Sequence, residues 1–196
     1  MNKLIIIIGP SGVGKTTLAR ALCAKQDFAI AYEQHNERPF QTLFKQDVKY
    51  ALANQLDYLL FRAEQENELR NHDRPVLMDG GLDLDFHGFT RLFHLRGWLS
   101  DDEFKLCQRF YSLTRSLLPP PDLIIALSAS AKTINDRLAA RNRINIASSD
   151  DSQTVSRFMN EWLESISQEK IIRLDITQEN INYTDSVPII LDKIKS

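Results

Sequence analysis

Short aliphatic runs without polar–apolar alternation lie at Lys3–Ile8, Val76–Met78 and Leu123–Leu127, with weaker runs of the same kind at Phe28–Ala31 and Ile171–Leu174. Runs of this length without alternation fit strands covered on both faces. Between them the spacing turns helical. Helices are expected over Gly14–Lys25, Asp47–Leu69, Leu84–Leu95, Asp101–Leu117, Ala131–Arg141, Asp151–Ser167 and Ser186–Ile194. In the longest, Tyr50, Leu52, Leu56, Leu59, Leu60 and Ala63 follow the helical period. Ser100 with Glu103 three residues on reads as a capping box, and Ser130 as a further N-cap. Pro119-Pro120-Pro121 must end the helix before it. Strands alternating with helices predict an α/β fold in three layers: a five-stranded parallel sheet with helices on both faces.

The chain has 196 residues, which fits one domain over 1–196, and no internal repeat or linker divides it. The polar stretch Asn142–Ser152 is expected to be a mobile loop. Lysines and arginines number 24 against 26 acids, a net charge of -2, which argues against a nucleic-acid partner. The longest aliphatic run, Leu4 to Ile8, is far shorter than the ~20 residues of a spanning helix, and a signal peptide is not expected. Cys23 and Cys107 sit in apolar helical surroundings without metal-ligand spacing, as reduced thiols of a cytoplasmic protein would. His87 and His94, seven apart, read as cover for a helix surface rather than metal ligands.

The chemistry starts at Gly9-Pro10-Ser11-Gly12-Val13-Gly14-Lys15-Thr16, which follows a predicted strand and opens a predicted helix. Glycines let backbone N–H groups turn inward around phosphate oxygens, at a helix start whose dipole favours anions. Gly9, Ser11, Gly12, Val13, Gly14, Lys15, Thr16 and Thr17 are the expected ATP cradle. Lys15 adds a point charge for the β- and γ-phosphates, and the Thr16 hydroxyl is placed to ligate Mg²⁺. No guanine-reading Asn-Lys-x-Asp occurs. Asp79, at the end of the third strand, can hold Mg²⁺ through water, or simply open a turn. Arg137, Arg141 and Arg143 form a second cationic group, read as a lid over about 137–152 that closes on ATP and supplies charge to the moving phosphoryl group. A solvated basic face is the other reading of the three.

Together these residues resemble the deoxyribonucleoside kinase family, over nearly the whole chain. The resemblance implies a P-loop kinase fold, with ATP and Mg²⁺ as cofactors and a small nucleoside-like substrate. Glu33, after Ala31-Tyr32, stands where the family has its general base for the nucleoside 5′-hydroxyl. Leu43 to Arg62 aligns with the family's substrate helix, so Gln55 would read the base edge and Arg62 would lie beside it. Asp79-Gly80-Gly81 occupies the family's Glu/Asp-Arg-Ser, and Asp85 and Phe89 its following Asp and Phe. Asp85 would pair with Arg62, and Phe89 would stack on the base. A Gln can bracket a base edge because one planar group offers a donor and an acceptor. Taken without the resemblance, Gln55 also fits a polar helix surface, Phe89 a core position and Glu33 a solvated strand-end acid.

Three positions depart from the family pattern. Its Arg after the acid is Gly80 here, its sugar-holding Tyr is Phe44, and its lid acid falls near Ile146, after Asn145. The triphosphate and base halves are kept, while both sugar 3′-contacts are lost. The expected function is transfer of the γ-phosphoryl group of ATP to the 5′-hydroxyl of a (deoxy)nucleoside or related molecule. A nucleotide-binding regulator with weak or no kinase activity, and a nucleoside monophosphate kinase, are the alternatives. A homodimer through the long helices is implied by the resemblance.

Overall fold

The computed structural model describes residues 3–32, 38–139, 149–180 and 182–195. Its strands are β1 (Leu4–Ile8), β2 (Ala29–Ala31), β3 (Val76–Asp79), β4 (Leu123–Ser128) and β5 (Ile171–Asp175). Among the described residues they form one parallel sheet in the order β2-β3-β1-β4-β5, as the unalternating runs predict. Side chains alternate between faces along a strand. Ile5 and Ile7 therefore pack with Leu18 and Leu22 on one side, and Leu4, Ile6 and Ile8 with Val155, Met159 and Leu163 on the other. Every residue of β1 is buried, and each such side chain contributes roughly 1.5–3 kcal/mol of transfer free energy.

The sheet order also places the site. From β1 the chain crosses outward to β2, whereas from β3 it crosses back past β1 to β4. Connections leaving in opposite directions open a crevice above the carboxyl ends of β1 and β3, where α/β sheets bind ligands. Ile7 pairs with Asp79 across those strands, so the P-loop and Asp79 emerge side by side.

The helices are α1 (Lys15–Cys23), α2 (Pro39–Gln46), α3 (Ala51–Leu69), α4 (Leu82–Leu84), α5 (Arg91–Leu95), α6 (Asp101–Leu117), α7 (Ala131–Ala139), α8 (Ser149–Glu164) and α9 (Ser186–Lys195). The capping box of α6 forms as expected, and the Ser130 hydroxyl accepts the Thr133 N–H at 3.2 Å. Three stretches differ from expectation. The long helix does not begin at Asp47, whose backbone is extended and whose carboxylate accepts the Lys49 N–H at 3.0 Å, so that α3 starts after a short 3₁₀ turn. A short polar side chain competes with the helix for its own backbone. α2 was not expected; Pro39 opens it, where the missing N–H costs nothing. The expected helix Leu84–Leu95 is instead α4, a π-turn over Asp85–Thr90, and α5. In the expected loop and lid, residues 149–152 belong to α8, and 140–148 lie outside the described residues.

Among the described residues no helix is long and apolar enough to cross a membrane. Cys23 and Cys107 are free thiols, and burial pushes the Cys107 thiol up to about 11.

Candidate active site

The P-loop leaves β1 at Gly9 and enters α1 at Lys15. Gly14 sits at φ 115°, in the left-handed region open to glycine, and a Cβ there would lie 2.3 Å from the Tyr183 hydroxyl. That hydroxyl, buried after β5, donates to the Gly14 carbonyl at 3.1 Å. Arg137 Nη1 donates to the neighbouring Val13 carbonyl at 2.6 Å. In a planar trans peptide the C=O and the next N–H point opposite ways. Holding the Val13 and Gly14 carbonyls on one side therefore turns the Gly14 and Lys15 N–H groups to the other. Tyr183 itself has φ 52°, rare for a residue with a side chain, and burial raises its pKa so that it stays a donor. Lys15 Nζ folds over the loop, donating to the Gly9 and Pro10 carbonyls at 3.1 and 3.3 Å.

The Thr16 hydroxyl donates to Asp79 Oδ2. Asp79 is fully buried, and its other oxygen, Oδ1, has no hydrogen-bond partner among the described residues. A buried carboxylate oxygen left unpaired is costly. A hydroxyl and a carboxylate meeting at a phosphate loop offer hard oxygen donors, the set Mg²⁺ prefers. The residues thus fit the cation that the sequence implied.

The ten residues between Asp79 and Thr90, with Thr90 itself, carry the other half of the site. Gly80 lies at φ 85°, where a Cβ would sit 3.2 Å from Arg62 Nη2, so glycine suits both the backbone and the Arg62 guanidinium beside it. Arg62 Nε donates to Asp85 Oδ2 at 3.0 Å, and Nη1 to Gln65 Oε1 at 3.0 Å. Gln55, two turns earlier on the same face of α3, is buried with its amide against Thr90. Phe89, on the π-turn, is half-buried against the cluster that holds Leu84, Leu92 and Met159. Phe44, partly buried, packs against α5 and the turn after it: its ring stacks on Phe93 at 4.8 Å and meets Trp98 edge-on at 5.4 Å.

Behind this face lies a charged network that sequence spacing did not reveal. Arg115 of α6 reaches Glu66 of α3 at 2.8 Å and Asp83 of α4 at 2.7 Å, with both acids almost wholly buried. Arg70 also holds Glu66, and Tyr111 donates to Asp83 at 2.9 Å. Since that hydroxyl's one hydrogen goes to Asp83, His87 Nε2, 3.0 Å from the same oxygen, must be the donor in their contact. His87 is therefore not helix-surface cover, as expected, but stacks on Trp162 at 5.1 Å. Burial, with Arg91 and Arg115 nearby, lowers its pKa to about 4. His94 does lie near the surface, bonded to Asp101.

Glu33, Arg141, Arg143 and Ile146 lie outside the described residues. The structure brings together Thr16 with Asp79, Arg62 with Asp85, and Arg137 with the P-loop. Tyr183 and Thr90 were missed because an isolated Tyr or Thr carries no spacing signal.

A phosphate loop at a sheet crevice, with a strand-end carboxylate on its Thr, defines a P-loop phosphotransferase. The chain belongs to the deoxynucleoside kinase family, whose model, described as "Deoxynucleoside kinase", matches residues 5–196. It is 28% identical to the deoxyguanosine kinase of Bacillus subtilis (strain 168) over 144 residues, covering 71% of this chain and 67% of that one. With the deoxyadenosine/deoxycytidine kinase of the same organism it shares 22% identity over 202 aligned positions, covering 100% and 93%. Its fold is similar to that of a deoxyadenosine kinase from M. mycoides with dCMP and a flexible dCDP bound, at a TM-score of 0.81 and 21% identity over 98% of each chain. The same enzyme with dATP bound gives 0.80, again at 21% identity, over 98% of this chain and 99% of that one. The chain is thus a phosphotransferase of the deoxynucleoside kinase type.

Proposed function

We propose that this chain transfers the γ-phosphoryl group of Mg-ATP to the 5′-hydroxyl of a (deoxy)nucleoside or closely related small molecule. One observation carries the reading: a single segment, Asp79 to Thr90, has the carboxylate beside Thr16 at its start, the Arg62–Asp85 pair midway and the Gln55–Thr90 contact at its end. One short segment thus touches both the phosphate loop and the residues read as holding the base.

In this reading the N–H groups from Gly9 to Thr17 hold the phosphates, with Lys15 swinging from its loop carbonyls to the β- and γ-oxygens. Thr16 and Asp79 hold Mg²⁺, which when bound offsets the charge on those oxygens. Arg137, Arg141 and Arg143 close over the transferred group and exclude water. Glu33 accepts the proton of the attacking 5′-hydroxyl. Gln55 brackets the base edge, Arg62 and Asp85 line it, and Phe89 stacks on it. The role of Phe44 is the apolar wall where the family's sugar-holding hydroxyl stands, which predicts weak discrimination at the sugar 3′-position.

The reading also takes 1–196 as one unit with its lid at 137–152, working in the cytoplasm without nucleic-acid or membrane partners. A homodimer belongs to it. Leu106, Leu113 and Leu117 are exposed along one face of α6, and Leu60 is exposed on α3, which packs beside it. A contiguous apolar stripe of this kind marks an interface.

The test is ADP release with Mg-ATP across a panel of nucleosides and nucleotides, comparing wild type with Glu33→Gln. Turnover of a nucleoside that falls roughly 10²–10⁴-fold in the variant, with Mg-ATP binding kept, supports the reading. Turnover only of monophosphates, or none beside tight Mg-ATP binding, would overturn it.

A further inference from the structure

The Thr90 hydroxyl makes two contacts that its chemistry cannot satisfy together as donors. Oγ1 lies 3.0 Å from Gln55 Oε1 and 3.0 Å from the Asp85 carbonyl oxygen. A hydroxyl carries one hydrogen, and both neighbours in this arrangement are acceptors. Thr90 is fully buried and Gln55 nearly so, so water does not supply the missing donor from bulk.

Two settings are self-consistent. In the first, the hydroxyl gives its hydrogen to Gln55 Oε1, and the Asp85 carbonyl receives none from it. In the second, the hydroxyl donates to the Asp85 carbonyl. The Gln55 amide then turns by half a revolution about its last bond, so that Nε2 donates to Oγ1. The amide oxygen and nitrogen are nearly equal in size, so this turn needs little room. The second setting satisfies every contact, because the carbonyl cannot turn and the amide can. The π-turn is what makes the device possible, since it brings Thr90 back over the Asp85 carbonyl five residues earlier.

We propose that Thr90 is the positioning residue that sets the orientation of the Gln55 amide, and through it selects between amino-type and oxo-type nucleobases. This rests on the reading of Gln55 as the reader of the base edge. An amino-type base, such as adenine or cytosine, presents a ring-nitrogen acceptor beside an amino donor. An oxo-type base, such as guanine or uracil, presents an N–H donor beside a carbonyl acceptor. In one pose these edges ask for opposite orders of the amide oxygen and nitrogen. An amide locked by Thr90 accepts one order and leaves two groups unpaired against the other, which a buried site penalises heavily. Without the hydroxyl the amide turns to suit either edge.

The experiment measures kcat/KM with Mg-ATP for deoxyadenosine against deoxyguanosine, and for deoxycytidine against deoxyuridine. Wild type, Thr90→Val, Thr90→Ser and Gln55→Ala are compared. Valine keeps the branched shape without the hydroxyl, and serine keeps the hydroxyl. The wild-type ratio should depart from one, fall at least tenfold toward one in Thr90→Val, and return in Thr90→Ser. Folding is checked by the Mg-ATP affinity of each variant, which the P-loop sets and which should not change. A ratio that survives Thr90→Val while Gln55→Ala abolishes it would overturn the role of Thr90 alone. A ratio untouched by Gln55→Ala, or a wild-type ratio near one, would overturn the reading of Gln55 as well. Loss of the ratio in both Thr90→Val and Thr90→Ser would show that Thr90 acts by packing, and would overturn the proposal.

Discussion

Asp79→Asn should separate the stability of this chain from its affinity for the metal-bound nucleotide. Asp79 is fully buried, with Oδ2 receiving the Thr16 hydroxyl and Oδ1 without a partner among the described residues. A polar atom left unpaired in the interior costs about 1–3 kcal/mol, more when charged. Asparagine keeps an oxygen for Thr16 and removes the charge, so the nucleotide-free protein should hold or gain about 1 kcal/mol. For a chain of this size that is a rise of about 2–4 °C in Tm. The bound state should behave oppositely. A ligand at 100 times its Kd stabilises by about 2.7 kcal/mol, or roughly 5–11 °C here. Most of that shift should vanish in Asp79→Asn when Mg-ATP is added. Thermal unfolding followed by circular dichroism, with and without Mg-ATP, measures both quantities. A variant that loses 2 kcal/mol or more when free, yet keeps its full Mg-ATP shift, would refute the reasoning: the carboxylate would then be a structural turn acid.

Three further outcomes are expected. Tyr183→Phe removes only the hydroxyl that braces the Gly14 carbonyl; a lost hydrogen bond of about 0.5–1.5 kcal/mol should weaken Mg-ATP binding about 2- to 13-fold by calorimetry, and unchanged affinity would show the brace to be idle. Burial holds His87 neutral, with a folded pKa of about 4 against the ordinary histidine value of 6.5, so the unfolded chain binds the extra proton and stability falls as pH drops from 6.5 toward 4. At pH about 4.5 that loss is about 2.5 kcal/mol, and denaturant melts at that pH and at about 7.5 should show a smaller drop in His87→Gln, which cannot titrate there. Leu113→Arg with Leu117→Arg should convert the proposed dimer to a monomer in light scattering, whereas an unchanged dimeric mass would remove the α6 stripe from the interface, and a monomeric wild type would overturn the proposed dimer.

The sheet was legible because its cause is local. A strand covered on both faces needs apolar residues at every position, and β1, β3 and β4 write that need into consecutive letters. The P-loop was legible for a similar reason, since its glycines, Lys15 and Thr16 act within eight consecutive residues of one turn. The resemblance named Gln55 and Arg62, seven residues apart and so two turns along one face of α3, with Asp85 as Arg62's partner. The start of α3 was not legible, because helical periodicity continues through Asp47 while its side chain diverts the backbone.

What only the tertiary structure decided are the contacts between elements far apart in the chain. Arg115 meets Glu66 across 49 residues, and Tyr183 reaches Gly14 across 169. No periodicity records such pairs, because each partner satisfies its own helix or loop equally well without the other. The same holds for Gly80, which as a letter marks a lost arginine but in the fold is a left-handed position facing the Arg62 guanidinium. The sequence by itself determined the sheet, the phosphate loop and the chemical types available at the site. Packing decided which of those groups face one another, because burial forces polar atoms to find partners wherever the folded chain brings them.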